Sequence, residues 1–237
     1  MRLDLSRWEL SLPTTPLTNL SPAQLATFDS AVSPLGGYFV NQESGVSLTC
    51  PFKGGTTTHS DNTRVEFRQV NLDGTKCNWD YSILDTGLLA TLNFTHIPLN
   101  GRVVIGQIHE FGHDTPPIKL QYTNKASGGT VRVQYRTEPD GPAIGVDIIK
   151  GLPLGEPIEY NIHIVQTGEF GITVNGTVFK AYLLPSWKAY LMYFKAGLYL
   201  QNDTVVTNPE MADDYVSATF SKLNTYTMGS DGIYQLS

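Results

Sequence analysis

The sequence predicts an all-β protein, a β-sandwich or jelly roll of antiparallel strands, on three observations. Segments with two-residue alternation recur along the chain, turn residues separate them, and helical periodicity is almost absent. The 22 Gly and 14 Pro are dispersed rather than clustered, as many short strands joined by tight turns require. Apolar residues at 41% supply a core, while charged residues at only 16% exclude a disordered chain or a coiled coil. No repeat, low-complexity tract or linker divides the chain, so a single domain over residues 1–237 is expected.

Taken in order, the first element is an accessory helix at Ser21-Pro22-Ala23-Gln24. Ser stands as N-cap, Pro at the first helical position and Gln three residues after the cap, which predicts a short helix to about Ser30. Alternating β-type segments follow at Val46–Cys50, Arg64–Val70, Val103–Gly112, Ile118–Tyr122, Val131–Arg136, Ile144–Ile149, Ile158–Val165, Met192–Gln201 and Ser217–Thr227. Asp73-Gly74, Asn100-Gly101, Gly128-Gly129, Asp140-Gly141 and Asn175-Gly176 mark turns between them. The last lies between Ile172-Thr173-Val174 and Val178-Phe179 and predicts a two-residue hairpin.

The net charge of −6 argues against nucleic acid as partner, and no apolar run reaches the ~20 residues that span a bilayer. Met1-Arg2-Leu3-Asp4 does not resemble a signal peptide, which fits a cytosolic protein or a mature secreted one. The triplets at Asn93, Asn175 and Asn202 fit the N-glycosylation pattern, and secretion is the expectation adopted here. Cys50 and Cys77 are either two free thiols or one disulfide closing a 28-residue loop, worth about 3–4 kcal/mol. The five histidines show no compact metal-ligand cluster beyond His109-x-x-x-His113, so no metal is expected.

Splitting each strand by parity isolates a polar face. Val65 and Phe67 go inward and leave Arg64, Glu66 and Arg68; Ile118, Leu120 and Tyr122 leave Lys119 and Gln121. Val131, Val133 and Tyr135 leave Arg132, Gln134 and Arg136. Phe194, Ala196, Leu198 and Leu200 leave Tyr193, Lys195, Tyr199 and Gln201. Gln107 and His109 share a face, although Ile105 and Ile108 fall on opposite parities. Placed on one sheet, these strands gather six cations around one acid, Glu66, in an acidic protein, which points to a polyanion as partner. A solvated outer face would be rich in Thr, Ser, Lys and Glu, whereas this one offers Arg, Gln, His and Tyr.

Such a face has the groups for β-elimination on a uronic-acid polymer. The carboxylate must be neutralised, as Arg64 and Gln107 can do; a base must take the neighbouring proton, as His109 can; an acid must protonate the leaving oxygen, as Tyr199 can. This chemistry needs no cofactor. Glycoside hydrolysis needs two carboxyl groups flanking the bond, and the face offers only Glu66, pressed between Arg64 and Arg68. Glu110 has the wrong parity. Hydrolysis is disfavoured.

The same segments carry a family resemblance. Arg64-Val65-Glu66-Phe67-Arg68 resembles the Arg-(Ser/Thr)-Glu-(Leu/Val)-Arg motif of the family-seven alginate lyases, and Gln107-Ile108-His109 resembles their Gln-(Ile/Val)-His motif. Tyr193-Phe194-Lys195-Ala196-Gly197-Leu198-Tyr199-Leu200-Gln201 is similar to their Tyr-Phe-Lys-Ala-Gly-x-Tyr-x-Gln motif. Leu5-Ser6-Arg7-Trp8-Glu9-Leu10-Ser11-Leu12-Pro13 is similar to their N-terminal stretch. Four blocks in order cover nearly the whole chain.

The resemblance implies a β-jelly-roll sandwich of two antiparallel sheets with a concave substrate groove and endolytic cleavage of 1,4-linked uronans, with Arg64 and Gln107 on the carboxylate, His109 as base and Tyr199 as acid. Arg68, Lys195 and Gln201 would bind neighbouring sugars or brace the site, and Glu66 would orient the arginines. From the polar face, Lys119, Arg132 and Gln134 join the candidate substrate-binding set. Val65, Phe67 and Leu200 depart from the family pattern; the first two lie on the inward parity and affect packing. Ile108 accompanies guluronate activity in the family, although its own side chain is expected to point away from substrate. His59 is a further candidate for the cleft, and Trp8, Trp79 and Trp187 are expected to pack rather than bind sugar. A monomer acting on an acidic polysaccharide is expected, against two alternatives: a lyase for another β-1,4-uronan such as glucuronan, and a non-catalytic binding module.

Overall fold

The computed structural model describes residues 2–57, 60–112, 114–201, 203–228 and 234–236. Two antiparallel sheets face each other across one continuous apolar core. The first sheet runs β10 (Ile144–Leu152), β9 (Gly129–Tyr135), β8 (Ile118–Thr123), β7 (Arg102–Glu110), β14 (Met192–Leu200), β5 (Arg64–Gln69), β1 (Trp8–Leu12) and β2 (Thr18–Leu20). The second runs β13 (Thr177–Tyr182), β12 (Glu169–Val174), β11 (Ile158–Ile164), β6 (Asp85–His96), β15 (Tyr215–Met228), β4 (Gly45–Pro51) and β3 (Phe39–Gln42), with β16 (Tyr234–Leu236) pairing β15. Sequence neighbours are therefore split between sheets, as a jelly roll requires.

The parity reading holds for the site-bearing strands. Val65, Phe67, Leu120, Val131, Val133, Phe194, Ala196 and Leu198 are completely buried in the core. The irregular alternation in β7 is a β-bulge between Val104 and Gly106. Ahead of it Val103 and Ile105 reach the core; after it Ile108 does, so Gln107 and His109 emerge together on the opposite face. Tyr160, on the facing sheet, fixes this bulge by donating its hydroxyl to the Ile105 carbonyl at 2.6 Å. A second irregularity lies in β14 between Ala196 and Tyr199. Here Gly197 adopts φ +146°, and a Cβ would lie 2.5 Å from the Val65 carbonyl oxygen on β5.

The helix is real but shorter than predicted, Pro22–Ala26, with the Ser21/Gln24 capping box formed. Phe28 ends it by turning into the core against Phe39, ring centroids 5.0 Å apart. The Asn175-Gly176 turn joins β12 to β13 with φ of 45° and 81°, the left-handed pair that a two-residue hairpin demands. The strands β1, β2, β3, β6 and β16 were not predicted. In β6 the run Leu88-Leu89-Ala90 hides an alternation in which Leu88, Ala90, Leu92 and Phe94 face the core. Trp8, Trp79 and Trp187 are all buried packing residues.

The disulfide alternative is corrected: Cys50 and Cys77 are free thiols. Cys50 is buried on β4, where burial pushes its thiol up to about 12, whereas Cys77 follows β5 near Arg68 and Arg7 on the side of the other sheet. Among the described residues no helix is long and apolar enough to cross a membrane.

Candidate active site

Strand register assembles the site. Lys195 on β14 lies across from Gln107 on β7 and Arg68 on β5; Lys119 on β8 lies on the far side of Gln107. Tyr193 pairs with His109, Gly197 with Glu66 and Tyr199 with Arg64. A cleft of about 250 Å³ opens over this patch, with Arg64, Gln107, His109, Lys119, Lys195 and Tyr199 in its wall. Tyr193 lines it too, and loop residues Thr57, Ser60, Asp114 and Pro116 close its sides.

Beneath the floor sits Glu66, 1% exposed. Its Oε1 accepts a hydrogen bond from the Gln107 amide, and its Oε2 pairs with Lys195 and lies 3.7 Å from Arg64 Nη1. Burial alone would raise its pKa, but the charges of Lys195 and Arg64 and the two hydrogen bonds outweigh that and hold the carboxyl below its ordinary range. Lys195 is itself buried, and desolvation lowers its pKa against the pull of Glu66. Glu66 thus fixes the amide face of Gln107 and the cations of Lys195 and Arg64 as one rigid group.

His109 donates its Nδ1–H to the main-chain carbonyl of Glu110 at 2.9 Å, because a carbonyl can only accept. The proton is therefore on Nδ1, and the Nε2 lone pair is uncommitted among the described residues. Burial first, then the charge of Lys195, pushes the ring down to about 4, so it stays neutral at physiological pH. Tyr193 stacks on it, centroids 5.2 Å apart and planes 19° from parallel, and the Arg68 guanidinium lies 3.9 Å from the Tyr193 ring. Arg68 is further tied to Asn78 at 2.6 Å and to the Gln69 carbonyl at 2.7 Å. Across the cleft, the Tyr199 hydroxyl lies 2.9 Å from Ser60 Oγ and accepts from Asn62 Nδ2 at 3.4 Å, while Arg64 covers its ring at 4.1 Å.

Some sequence candidates lie elsewhere. Arg132 pairs with Asp147 at 2.5 Å in a neighbouring depression, Gln134 lines a small hollow with Arg136 and Lys119, and Gln201 donates to the Leu200 carbonyl at 3.0 Å. Arg68 braces Tyr193 and is not oriented by Glu66, which touches Arg64, Lys195 and Gln107 instead. His59, His113 and the triplet residue Asn202 lie outside the described residues.

Sequence reasoning missed Ser60, Asn62 and Glu110. The first two stand in a loop with no periodicity to read; Glu110 was set aside by parity, yet its carboxylate lies 3.5 Å from His109 Nδ1. Of the acids near the site, Glu66 and Glu110 are 1% exposed and do not line the cleft; among the described residues Asp114 is the carboxyl in its wall, and one carboxyl alone cannot flank a glycosidic bond from both sides. Among the described residues no group of His, Cys, Asp and Glu is placed to hold a metal ion.

The chain is similar to known proteins over nearly its whole length. A family model described as alginate lyase matches residues 3–227. An alginate lyase from Pseudomonas aeruginosa of known structure is 33% identical, with TM-score 0.83, over 94% of this chain and 99% of that one. A family 7 alginate lyase bound to a GGG product superposes with TM-score 0.79 at 24% identity over 95% of this chain and 96% of its own. An alginate lyase from Klebsiella pneumoniae is 25% identical over 94% of this chain and 89% of its length.

Proposed function

The chain belongs to the alginate lyase family, polysaccharide lyase family seven, and from that premise we propose that it cleaves a 1,4-linked uronic-acid polymer of the alginate type by β-elimination. One observation carries the residue roles: a single cleft holds the cation Arg64, the amide Gln107, a neutral His109 with Nε2 uncommitted, and the Tyr199 hydroxyl. Arg64 and Gln107 meet the substrate carboxylate and stabilise the charge that develops on it as the proton on the adjacent carbon leaves. His109 Nε2 takes that proton. The electron pair becomes the new carbon–carbon double bond, the bond to the 4-linked oxygen breaks, and Tyr199 gives its proton to that oxygen. Solvent then returns His109 and Tyr199 to their starting forms. Lys195 completes the electropositive wall, and Lys119 extends it towards a neighbouring sugar.

A neutral imidazole suits proton abstraction, since a base already protonated could accept nothing. Burial and Lys195 together hold His109 unprotonated. A polymer does not cross a bilayer, so the reading carries secretion with it.

The test mixes the protein with alginate, poly-guluronate, poly-mannuronate and glucuronan and follows the ultraviolet absorbance of the unsaturated product. Turnover of alginate or either of its block polymers is expected. Turnover of glucuronan alone would reassign the substrate, and turnover of none would leave a binding module. His109→Asn and Tyr199→Phe should each lower kcat by about 10²–10⁴-fold with the fold intact. Near-normal rates in either variant refute that residue's role.

A further inference from the structure

We propose that Glu110 is a positioning residue for the base, a buried carboxylate behind His109 that stabilises the imidazolium formed when Nε2 takes the substrate proton. The inference rests on His109 being the base. Three observations carry it. Glu110 Oε2 lies 3.5 Å from His109 Nδ1, on the side of the ring bearing the proton. The Glu110 side chain is completely buried, so water does not screen it from the ring. The main chain of Thr115, in the loop whose Asp114 and Pro116 line the cleft, lies beside the carboxyl and closes it off from the other side.

Among the described residues, the charged and titratable groups around it include His109 on its own strand, Tyr193 and Lys195 on β14, and Asp114 on the loop. Burial above all, with Asp114 adding to it and Lys195 opposing it, raises Glu110 to about 7. His109, at about 4, is already neutral throughout that range. The two groups therefore separate in pH. Below about 7 Glu110 is protonated and offers the developing imidazolium no negative charge; above it the carboxylate does. The rise of kcat through neutral pH then belongs to Glu110, whereas the base alone would place its limb near 4. No proton passes to Glu110 during the reaction, because the backbone carbonyl retains the Nδ1–H.

The experiment is the pH dependence of kcat and KM on alginate for the wild type, Glu110→Gln and Glu110→Asp, with His109→Asn alongside and circular dichroism to verify folding. The wild type should show a limb near neutrality. Glu110→Gln should lose that limb and sit on the order of ten-fold below the wild-type plateau with KM little changed. Glu110→Asp should restore a limb, displaced in pH. A Glu110→Gln profile that matches the wild type overturns the inference, and so does one lowered uniformly with its limb in place, which is the mark of a packing role. If Glu110→Gln does not fold, the Glu110→Asp profile decides: an unmoved limb overturns the inference. Normal turnover by His109→Asn would instead remove the base assignment beneath it.

Discussion

Two stretches of the same sheet carry the same residue types and use them differently. At its centre, on β5, β7 and β14, Lys195 meets Glu66 with its side chain 11% exposed; at its flank, on β9 and β10, Arg132 meets Asp147 with its side chain 43% exposed. At the centre desolvation sets the cost of every charge, so partners are obligatory and Gln107, Arg64 and Lys195 are locked around one acid. At the flank water screens the pair, and Lys150 reaches the same aspartate from solvent. Ion pairing alone does not make a site. Burial turns a set of charges into a fixed electrostatic frame, and only the centre has it.

The comparison predicts an ordered set of losses. Lys195→Ala should cost the most, about 3–5 kcal/mol in chemical denaturation, because it strands the Glu66 carboxylate in the interior. The double replacement Glu66→Met with Lys195→Met should recover most of that stability without recovering turnover. A double variant no better than the single one would show that the pair is worth more than its desolvation cost. Next comes Gly197→Ala, about 1–3 kcal/mol by the same measurement, because the alanine inherits a positive φ and a clash with the Val65 carbonyl. It should also depress kcat by displacing Tyr199 two residues on. Arg132→Ala should cost only about 0.2–1 kcal/mol, shrinking further in high salt. A loss as large as that of Lys195→Ala would erase the distinction between centre and flank.

Acid and base titrations sharpen the same contrast within the centre. Glu66 has a depressed native pKa, so its contribution is present above the unfolded carboxylate value of about 4.3 and is lost as pH falls through the lower native value. Glu110 has a raised native pKa, so its contribution is full below about 4.3 and is lost as pH rises through about 7. Thermal melts should therefore show Glu110→Gln gaining on the wild type between about pH 4.3 and 7 and holding that gain above it, and Glu66→Gln lying behind the wild type by a constant margin well above pH 4.3. The reverse order would mean that the two carboxyls had been assigned to the wrong environments.

Legibility followed the regularity of the backbone. Where strands alternate cleanly, as in Phe194–Leu198 or Val131–Val133, parity alone separated core from site. At the bulge near Ile105 it gave an ambiguous split, because a Tyr160 hydroxyl from the opposite sheet holds a geometry that local sequence does not encode. Ser60 and Asn62 reach Tyr199 through the folding back of a loop onto a strand far along the chain, a contact without periodicity. Glu110 eluded parity for a simpler reason. At the end of β7, its carboxylate approaches the neighbouring ring regardless of which face its Cβ leaves from. Among the strands, β6 was obscured by consecutive leucines, whereas the cation-rich strands were exposed by the contrast between their two sides. The motif blocks added the assignment of roles, which alternation cannot provide.

The acceptor for His109 Nδ1–H is a peptide oxygen, not a side chain. No codon change can delete it, so the proton stays on the same nitrogen through any drift in the residue at 110. Variation there is free to adjust how strongly the enzyme responds to acidity while the direction of proton flow is inherited unchanged from the main chain.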